Sequence, residues 1–294
     1  MQERSEIDSF LDSVWAELGV DPQRIKQVGT GYDGQVYQIS KHQCVKISKN
    51  THYIAIPEAL HNCEYLAIPQ QTFISPSGMY VATLQPYLNL YSIQHIIRCG
   101  IILPMNQAIE IAAGFLMGLR RLHENGYVHR DMYPGNIMLS SDRGHIRAVI
   151  VDFDEMRQIT PLTKACFRFN GYHDPDIVFY DRVYDDKAEM FAAGVVLWEL
   201  FLGKCPFAGY ELFGKVIEKS WEAYLQNKER CHQQVKNALL NMTAEIEKMR
   251  LVSGDSGDLL NLLLNPDRAK RITAAEALKH PLFQKEQKGD HDAE

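Results

Sequence analysis

The sequence predicts an α+β protein built as two lobes, a small β-rich one followed by a larger, mainly helical one. Two observations carry this. Over 25–88 the chain is punctuated by glycine, rich in β-branched residues and often alternating, with one short helix expected near 57–68. From Asn106 onward the periodicity is mostly helical, with short strands only near 137–139 and 149–151. A change of period within one chain of 294 residues implies two lobes with a cleft between them.

Taken in order, the first element is an amphipathic helix. Ile7, Phe10, Leu11, Val14, Trp15 and Leu18 recur at helical spacing, and Gly19 follows at a C-cap position. A helix packed on its own domain is the expected outcome, ahead of one that binds a partner. The expected limits are this helix at 1–22, the first lobe at 23–90, the second at 91–283 and a charged tail at 284–294 that should fray.

Composition narrows the function classes. The chain is 46% hydrophobic and 23% charged, a globular balance. Its net charge of −6 and isoelectric point near 6.0 provide no overall basic field to draw in nucleic acid or an anionic membrane. No apolar run reaches the ~18 residues that a membrane span needs. The start, Met1-Gln2-Glu3-Arg4-Ser5, is acidic and polar, unlike a secretory leader. Six scattered cysteines without a C-x-x-C pair read as reduced thiols, so an intracellular, cytoplasmic setting (or delivery into a cytosol) is expected.

The chemistry begins at Gly29-Thr30-Gly31-Tyr32-Asp33-Gly34-Gln35-Val36, a G-x-G-x-x-G-x-V run. Glycines there let backbone N–H groups approach phosphate without a side chain intervening. In most proteins a glycine-rich turn is merely a turn. The strand-like segments at 35–40 and 43–47 that follow exclude a dinucleotide fold, which would place a helix next. Lys46 lies on the second of these, 12 residues after Gly34. The stronger signal is His129-Arg130-Asp131-Met132-Tyr133-Pro134-Gly135-Asn136, with Asp152-Phe153-Asp154 after an apolar strand. Phosphoryl transfer from ATP requires hard oxygen ligands for Mg²⁺ and a carboxylate that orients the attacking hydroxyl. Asp131, Asn136 and Asp152 supply that set.

In this order the motifs resemble those of the eukaryotic-type protein kinases, and the resemblance runs from about Arg24 to Phe283. It implies the bilobal kinase fold, with 23–90 as its N-lobe and 91–283 as its C-lobe. It implies that Gly29, Gly31 and Gly34 cover the phosphates and that Lys46 holds them, paired with a helix glutamate. Glu64 is the choice for that glutamate, with Glu58 its rival about 120° around the helix. Asp131 becomes the base, Asn136 and Asp152 the metal ligands, and Arg130 the partner of a phosphorylated activation segment. Val36 and Cys44 would roof the adenine, Met138 would floor it, and Gln85 to Tyr87 would form the hinge. Further on, Glu189-Met190-Phe191 through Trp198-Glu199-Leu200 resembles the family's buried helix, Gly203 through Pro206-Phe207 the turn after it, and Pro266 through Leu278 with His280-Pro281-Leu282-Phe283 the closing helix. Asp176 is the expected partner of Arg271.

The pattern also departs from the family. Asp154 replaces a glycine, Tyr133 a lysine that would touch the γ-phosphate, and Glu189 an aspartate that anchors the catalytic loop; Phe169 stands nearest the place of a threonine. Thr160 and Thr163 are the hydroxyls on which a phosphate could reach Arg130, and a segment that needs no phosphate is the equal alternative. The resemblance implies transfer from ATP with Mg²⁺ to a protein substrate, Ser/Thr rather than Tyr, and leaves an activating partner open. Two other functions remain: a small-molecule phosphotransferase of the aminoglycoside or choline kinase type, and a nucleotide-binding pseudokinase scaffold. Asp154 should hold the site more constantly in one state. Asp154→Gly is therefore expected to make activity more sensitive to changes in the activation segment, read as the rate ratio of segment variants in both backgrounds; an equal ratio refutes it.

Overall fold

The computed structural model describes residues 2–30, 34–49, 55–88, 90–142, 145–164, 172–174, 177, 183–203, 246–247 and 254–284. They fall into two compact units, one of residues 1–62 and 66–89, the other of 63–65 and 90–294. The expected α+β organisation is what is found: a sheet-rich N-terminal region and a helical C-terminal one. No described helix is long and apolar enough to cross a membrane.

The first unit is a five-stranded antiparallel sheet covered on one face by a helix. Strands β1 (Lys26–Thr30), β2 (Gly34–Gln38), β3 (Gln43–Lys49), β4 (Gln71–Ile74) and β5 (Tyr80–Pro86) lie in the order β1-β2-β3-β5-β4. Side chains alternate across a strand, so residues paired between strands share a face. Tyr37 pairs with Val45 and Val45 with Leu84, while Ile47 pairs with Ala82. Upon that face lies α1 (Gln2–Leu18), which buries Phe10, Leu11, Val14 and Trp15 against Val45, Ile47, Phe73, Tyr80, Ala82 and Leu84. Trp15 meets the Tyr37 ring edge-on at 5.7 Å. The helix ends where Gly19 takes φ +63° and Val20 N–H donates to the Trp15 carbonyl at 3.0 Å.

The helix expected near 57–68 is not formed. Among the described residues that segment holds only a 3-10 turn, Glu58–Leu60, entered from Pro57. Asn62 then takes the left-handed conformation, φ 63°, which an α-helix cannot absorb. Beyond it the chain is pinned by a tertiary bond, Ile150 N–H to the Tyr65 carbonyl at 2.9 Å. Gly118 permits that approach, because a Cβ there would lie 3.0 Å from the Tyr65 oxygen and 2.9 Å from Ile150 Cδ1. Residues 63–65 therefore group with the second unit.

The second unit is organised by two long helices. The apolar face of α3 (Met105–Glu124) buries Ile111, Phe115, Leu116, Leu119 and Leu122. It is preceded by a short helix that the sequence reading missed, α2 (Ile93–Arg98), whose N-cap Ser92 accepts from His95 N–H at 3.2 Å. The other long helix, α4 (Asp186–Leu202), is capped by Asp185 and buried through 188–199, as expected of a helix apolar all round. The two short expected strands are a longer hairpin, β7 (Ile137–Asp142) with β8 (His145–Ile150). A second small pairing joins β6 (Tyr127–Val128) to β9 (Arg157–Gln158). Helices α5 (Gly254–Leu263), α6 (Ala274–Ala277) and α7 (Pro281–Gln284) close the described chain. Residues 285–294 of the expected tail lie outside the described residues, as do Gly31, Phe169, Pro206 and Phe207.

Removing the central side chain of the helix–sheet contact should loosen the first unit. Trp15→Ala is expected to destabilise the chain by about 3–5 kcal/mol, the range for deleting a buried aromatic, with a matching shift in the urea unfolding midpoint.

Candidate active site

In the first unit the expected nucleotide residues share the sheet face opposite α1. Val36 pairs with Lys46 and Lys46 with Thr83, while Cys44 pairs with Gln85. These residues alternate with Tyr37, Val45, Ile47 and Leu84, which face the helix. Gly34 has a steric reason to be glycine besides any phosphate, since a Cβ would collide with the Ile47 carbonyl. Gly29 faces no such obstacle, its nearest neighbour being Val36 Cβ at 3.6 Å. Burial pushes the Cys44 thiol up to about 11, partly offset by a hydrogen bond with Gln85, so this thiol is an apolar packing group at neutral pH. Past the end of β5, Tyr87 N–H donates to the His42 carbonyl at 2.9 Å, tying the expected hinge to the β2–β3 turn.

In the second unit the H-R-D loop sits between β6 and a 3-10 turn, Pro134–Asn136. Asn136 Nδ2 donates to the Asp131 carbonyl oxygen at 2.8 Å and to Asp131 Oδ2 at 3.0 Å. The register of the β7–β8 hairpin pairs Ile137 with Ile150, and Val151 N–H continues it by donating to the Asn136 carbonyl at 3.0 Å. Asp152 is the next residue, so the hairpin delivers Asn136 and Asp152 to the same end. Met138 lies on β7, bridged to Ser92. Arg130 and Asp152 both take left-handed backbone conformations, φ 70° and 65°, a strain that side-chain-bearing residues hold only where the surroundings impose it. Asp154 is not among the positive-φ residues, so its conformation asks nothing of glycine. The Tyr133 ring folds back over Gly135 and lies 6.2 Å from Tyr172.

What holds this loop is Glu189, whose side chain is fully buried. Its carboxylate accepts from His129 N–H at 3.1 Å, from Arg130 N–H at 2.8 Å and from His123 Nε2 at 2.9 Å. The glutamate therefore grips the loop through the two amides that open it. Burial works against its ionisation, but the hydrogen bond and charge of His123, then His129 and the Arg130 amide, outweigh it and hold the pKa below its ordinary 4.5. His129 in turn bonds the Val151 carbonyl at 3.0 Å and packs edge-on against Phe153 at 5.3 Å. Nearby, burial drives His173 down to about 4, so it is neutral at pH 7.

One expectation is corrected here. Glu64 was assigned to a helix facing Lys46; that helix is absent among the described residues, and the Glu64 carboxylate is paired with Arg147 Nη1 on β8. Asp176, the expected partner of Arg271, lies outside the described residues; Arg271 Nη1 meets Asp174 Oδ2 at 2.6 Å, with both side chains buried. Thr163, offered as a phosphate acceptor, is 7% exposed and its hydroxyl donates to the Gln158 carbonyl at 2.7 Å. Sequence reasoning did not single out His123, Glu155 or Asp174, since the partner of each is distant along the chain.

The donor set fits a divalent cation brought in with a nucleotide. The Asn136 amide nitrogen is committed to Asp131, which leaves its oxygen as a ligand, and Asp152 adds a carboxylate. Among the described residues no group of three or more His, Cys, Asp or Glu could hold a metal alone. Mg²⁺ characteristically takes one or two protein oxygens and completes its shell with phosphate and water.

A sheet carrying G-x-G-x-x-G and a lysine, followed by a helical region carrying H-R-D-x-x-x-x-N and D-F-x, has the motif order of the protein kinase class. The protein kinase domain family matches residues 23–283, and the chain belongs to that family. A curated relative, calcium/calmodulin-dependent protein kinase type II subunit delta from Oryctolagus cuniculus, is 31% identical over 169 residues. That match covers 56% of this chain and 28% of the relative.

Two groups make the fold acid-sensitive. Below pH 6.5 the unfolded chain takes up a proton at His173 that the folded chain refuses until about pH 4, so stability falls across that window. Glu189 adds stability above its unfolded value near 4.5, which is lost as pH falls through its lower folded value. Glu189→Gln is expected to cost about 3–5 kcal/mol at pH 7, as for a broken buried pair, and the difference should shrink below pH 4.5 in denaturant titrations.

Proposed function

We propose that the chain transfers the γ-phosphoryl group of ATP, as its Mg²⁺ complex, to a serine or threonine hydroxyl of a protein substrate. The observation that carries this reading is the hydrogen-bonded pair of Asp131 and Asn136, joined by the hairpin register to Asp152. Asp131 is the base that orients the attacking hydroxyl and receives its proton. Asn136 and Asp152 hold the metal, which supplies charge neutralisation on the phosphates when bound. Lys46 holds the α- and β-phosphates, and the turn from Gly29 through Gly31 to Gly34 lies over them. Val36 and Cys44 roof the adenine, Met138 floors it, and the backbone of Gln85 to Tyr87 lines its edge. Arg130 ties the catalytic loop to the segment after Asp154. In this class of reaction positioning and electrostatic stabilisation supply most of the acceleration.

The setting proposed is the cytosol, and an activating partner remains part of the reading. The relative's name carries a dependence on calcium and calmodulin; whether this chain takes a regulatory protein is answered by adding candidate activators to the transfer assay.

The test is transfer of label from γ-labelled MgATP to the chain itself and to generic protein substrates. Wild type should label protein; Asp131→Ala should lower the rate by about 10²–10⁴, the usual worth of a positioned acid or base, and Asp152→Ala, which removes a carboxylate from the metal, should lower it as well. Nucleotide binding with no label in wild type would overturn the proposal in favour of a scaffold. Label on small alcohols and none on protein would overturn it in favour of a small-molecule phosphotransferase.

A further inference from the structure

The described part of the segment after Asp154 is tied down at every step. Met156 N–H donates to the Phe153 carbonyl at 3.1 Å, β9 pairs with β6, and Ile159 N–H donates to the Gly126 carbonyl at 2.8 Å. The chain then turns on itself. The Thr163 hydroxyl lies 3.1 Å from that of Thr160, accepts from Thr160 N–H at 2.9 Å and donates to the Gln158 carbonyl. Tyr184 N–H donates to the Thr163 carbonyl at 2.8 Å, which docks this turn beside α4.

Arg130 stands at the centre of these ties. Its Nε donates to the Lys164 carbonyl at 2.7 Å and its Nη1 to the Glu155 carbonyl at 3.3 Å. The one carboxylate recorded within salt-bridge distance of it among the described residues is Glu155, with Oε2 3.6 Å from Nη1. The guanidinium is 12% exposed and Glu155 26% exposed, so the pair is mostly withdrawn from water. Arg130 is also the residue between the Glu189-bound His129 and Asp131, and its strained backbone fixes where Asp131 begins.

We infer that Glu155 is a positioning residue for Asp131: acting through Arg130, its carboxylate supplies the negative charge that a phosphorylated segment would supply, so the site is assembled without phosphate. A phosphate on Thr163 would remove the proton that its buried hydroxyl donates to the Gln158 carbonyl and crowd its two contacts with Thr160, which makes that residue a structural tie. The inference rests on the proposed transfer reaction for its effect on rate, but not for its effect on the segment.

The experiment therefore reads both. Wild type is treated with phosphatase until its mass carries no phosphate, and is compared with Glu155→Gln, Arg130→Gln and the double variant. Hydrogen exchange at the amides of Ile159 and Thr163, followed by mass spectrometry, reads the segment whether or not the chain transfers phosphate. Phosphate-free wild type should stay protected, while both single variants should exchange faster. In the transfer assay phosphate-free wild type should keep its kcat, and Glu155→Gln should lower kcat about three- to tenfold, as for a partly buried ion pair, with KM for ATP unchanged. The double variant should be no worse than Arg130→Gln alone, since both remove one interaction. Loss of protection or of kcat on dephosphorylation would overturn the inference, as would a Glu155→Gln chain indistinguishable from wild type in exchange. Additive effects of the two substitutions would overturn it as well. A phosphate-free wild type that transfers nothing and keeps its protected segment would sink the transfer reaction and, with it, the positioning role; the ordering of the segment by Glu155 would stand on the exchange data.

Discussion

One buried carboxylate organises the second unit. Glu189 sits on the helix with the most continuous burial in the described chain and has no water to solvate it, so its charge must be met by protein donors. The donors it finds are the two amides that open the catalytic loop and the histidine at the end of α3. Helix, helix and loop are thereby fixed at a single point, and every candidate residue downstream takes its place from there. His129 reaches on to Val151, Arg130 to the carbonyls of Glu155 and Lys164, and Asp131 to Asn136. A burial that would be unfavourable alone is stabilised because it satisfies several groups at once.

Part of this was legible in the residues. The order of the glycine run, Lys46, Asp131, Asn136 and Asp152 resembles that of the protein kinases, the family to which the chain belongs. The periodicity of Phe10, Leu11, Val14 and Trp15 identified a helix with a single apolar face. Strand alternation, once the register is known, places Val36, Cys44, Lys46 and Gln85 on one face without further argument. What was not legible depends on partners far away in sequence. Residues 57–68 have the composition of a helix, yet Asn62 and the bond from Ile150 to Tyr65 decide otherwise. Glu64 is 83 residues from Arg147, and Asp174 is 97 from Arg271. No local pattern separates such a pair from any other acid and base.

The departures from the family's pattern fall into two kinds. Glu189 is a substitution that the fold absorbs, one methylene longer and with the same two amides in its grip. Asp154 and Tyr133 are of the other kind: Asp154 is not among the positive-φ residues, and Tyr133 turns back over Gly135.

The helix laid on the sheet has a different consequence. Because α1 is joined to β1 by a short connection, it meets that face at the millimolar effective concentration typical of a short tether. Any protein that sought the same apolar surface would have to outcompete a ligand that never diffuses away. A change that released α1 would uncover Val45, Ile47, Phe73 and Leu84 together, and with them a sticky patch that could draw two copies of the chain into association.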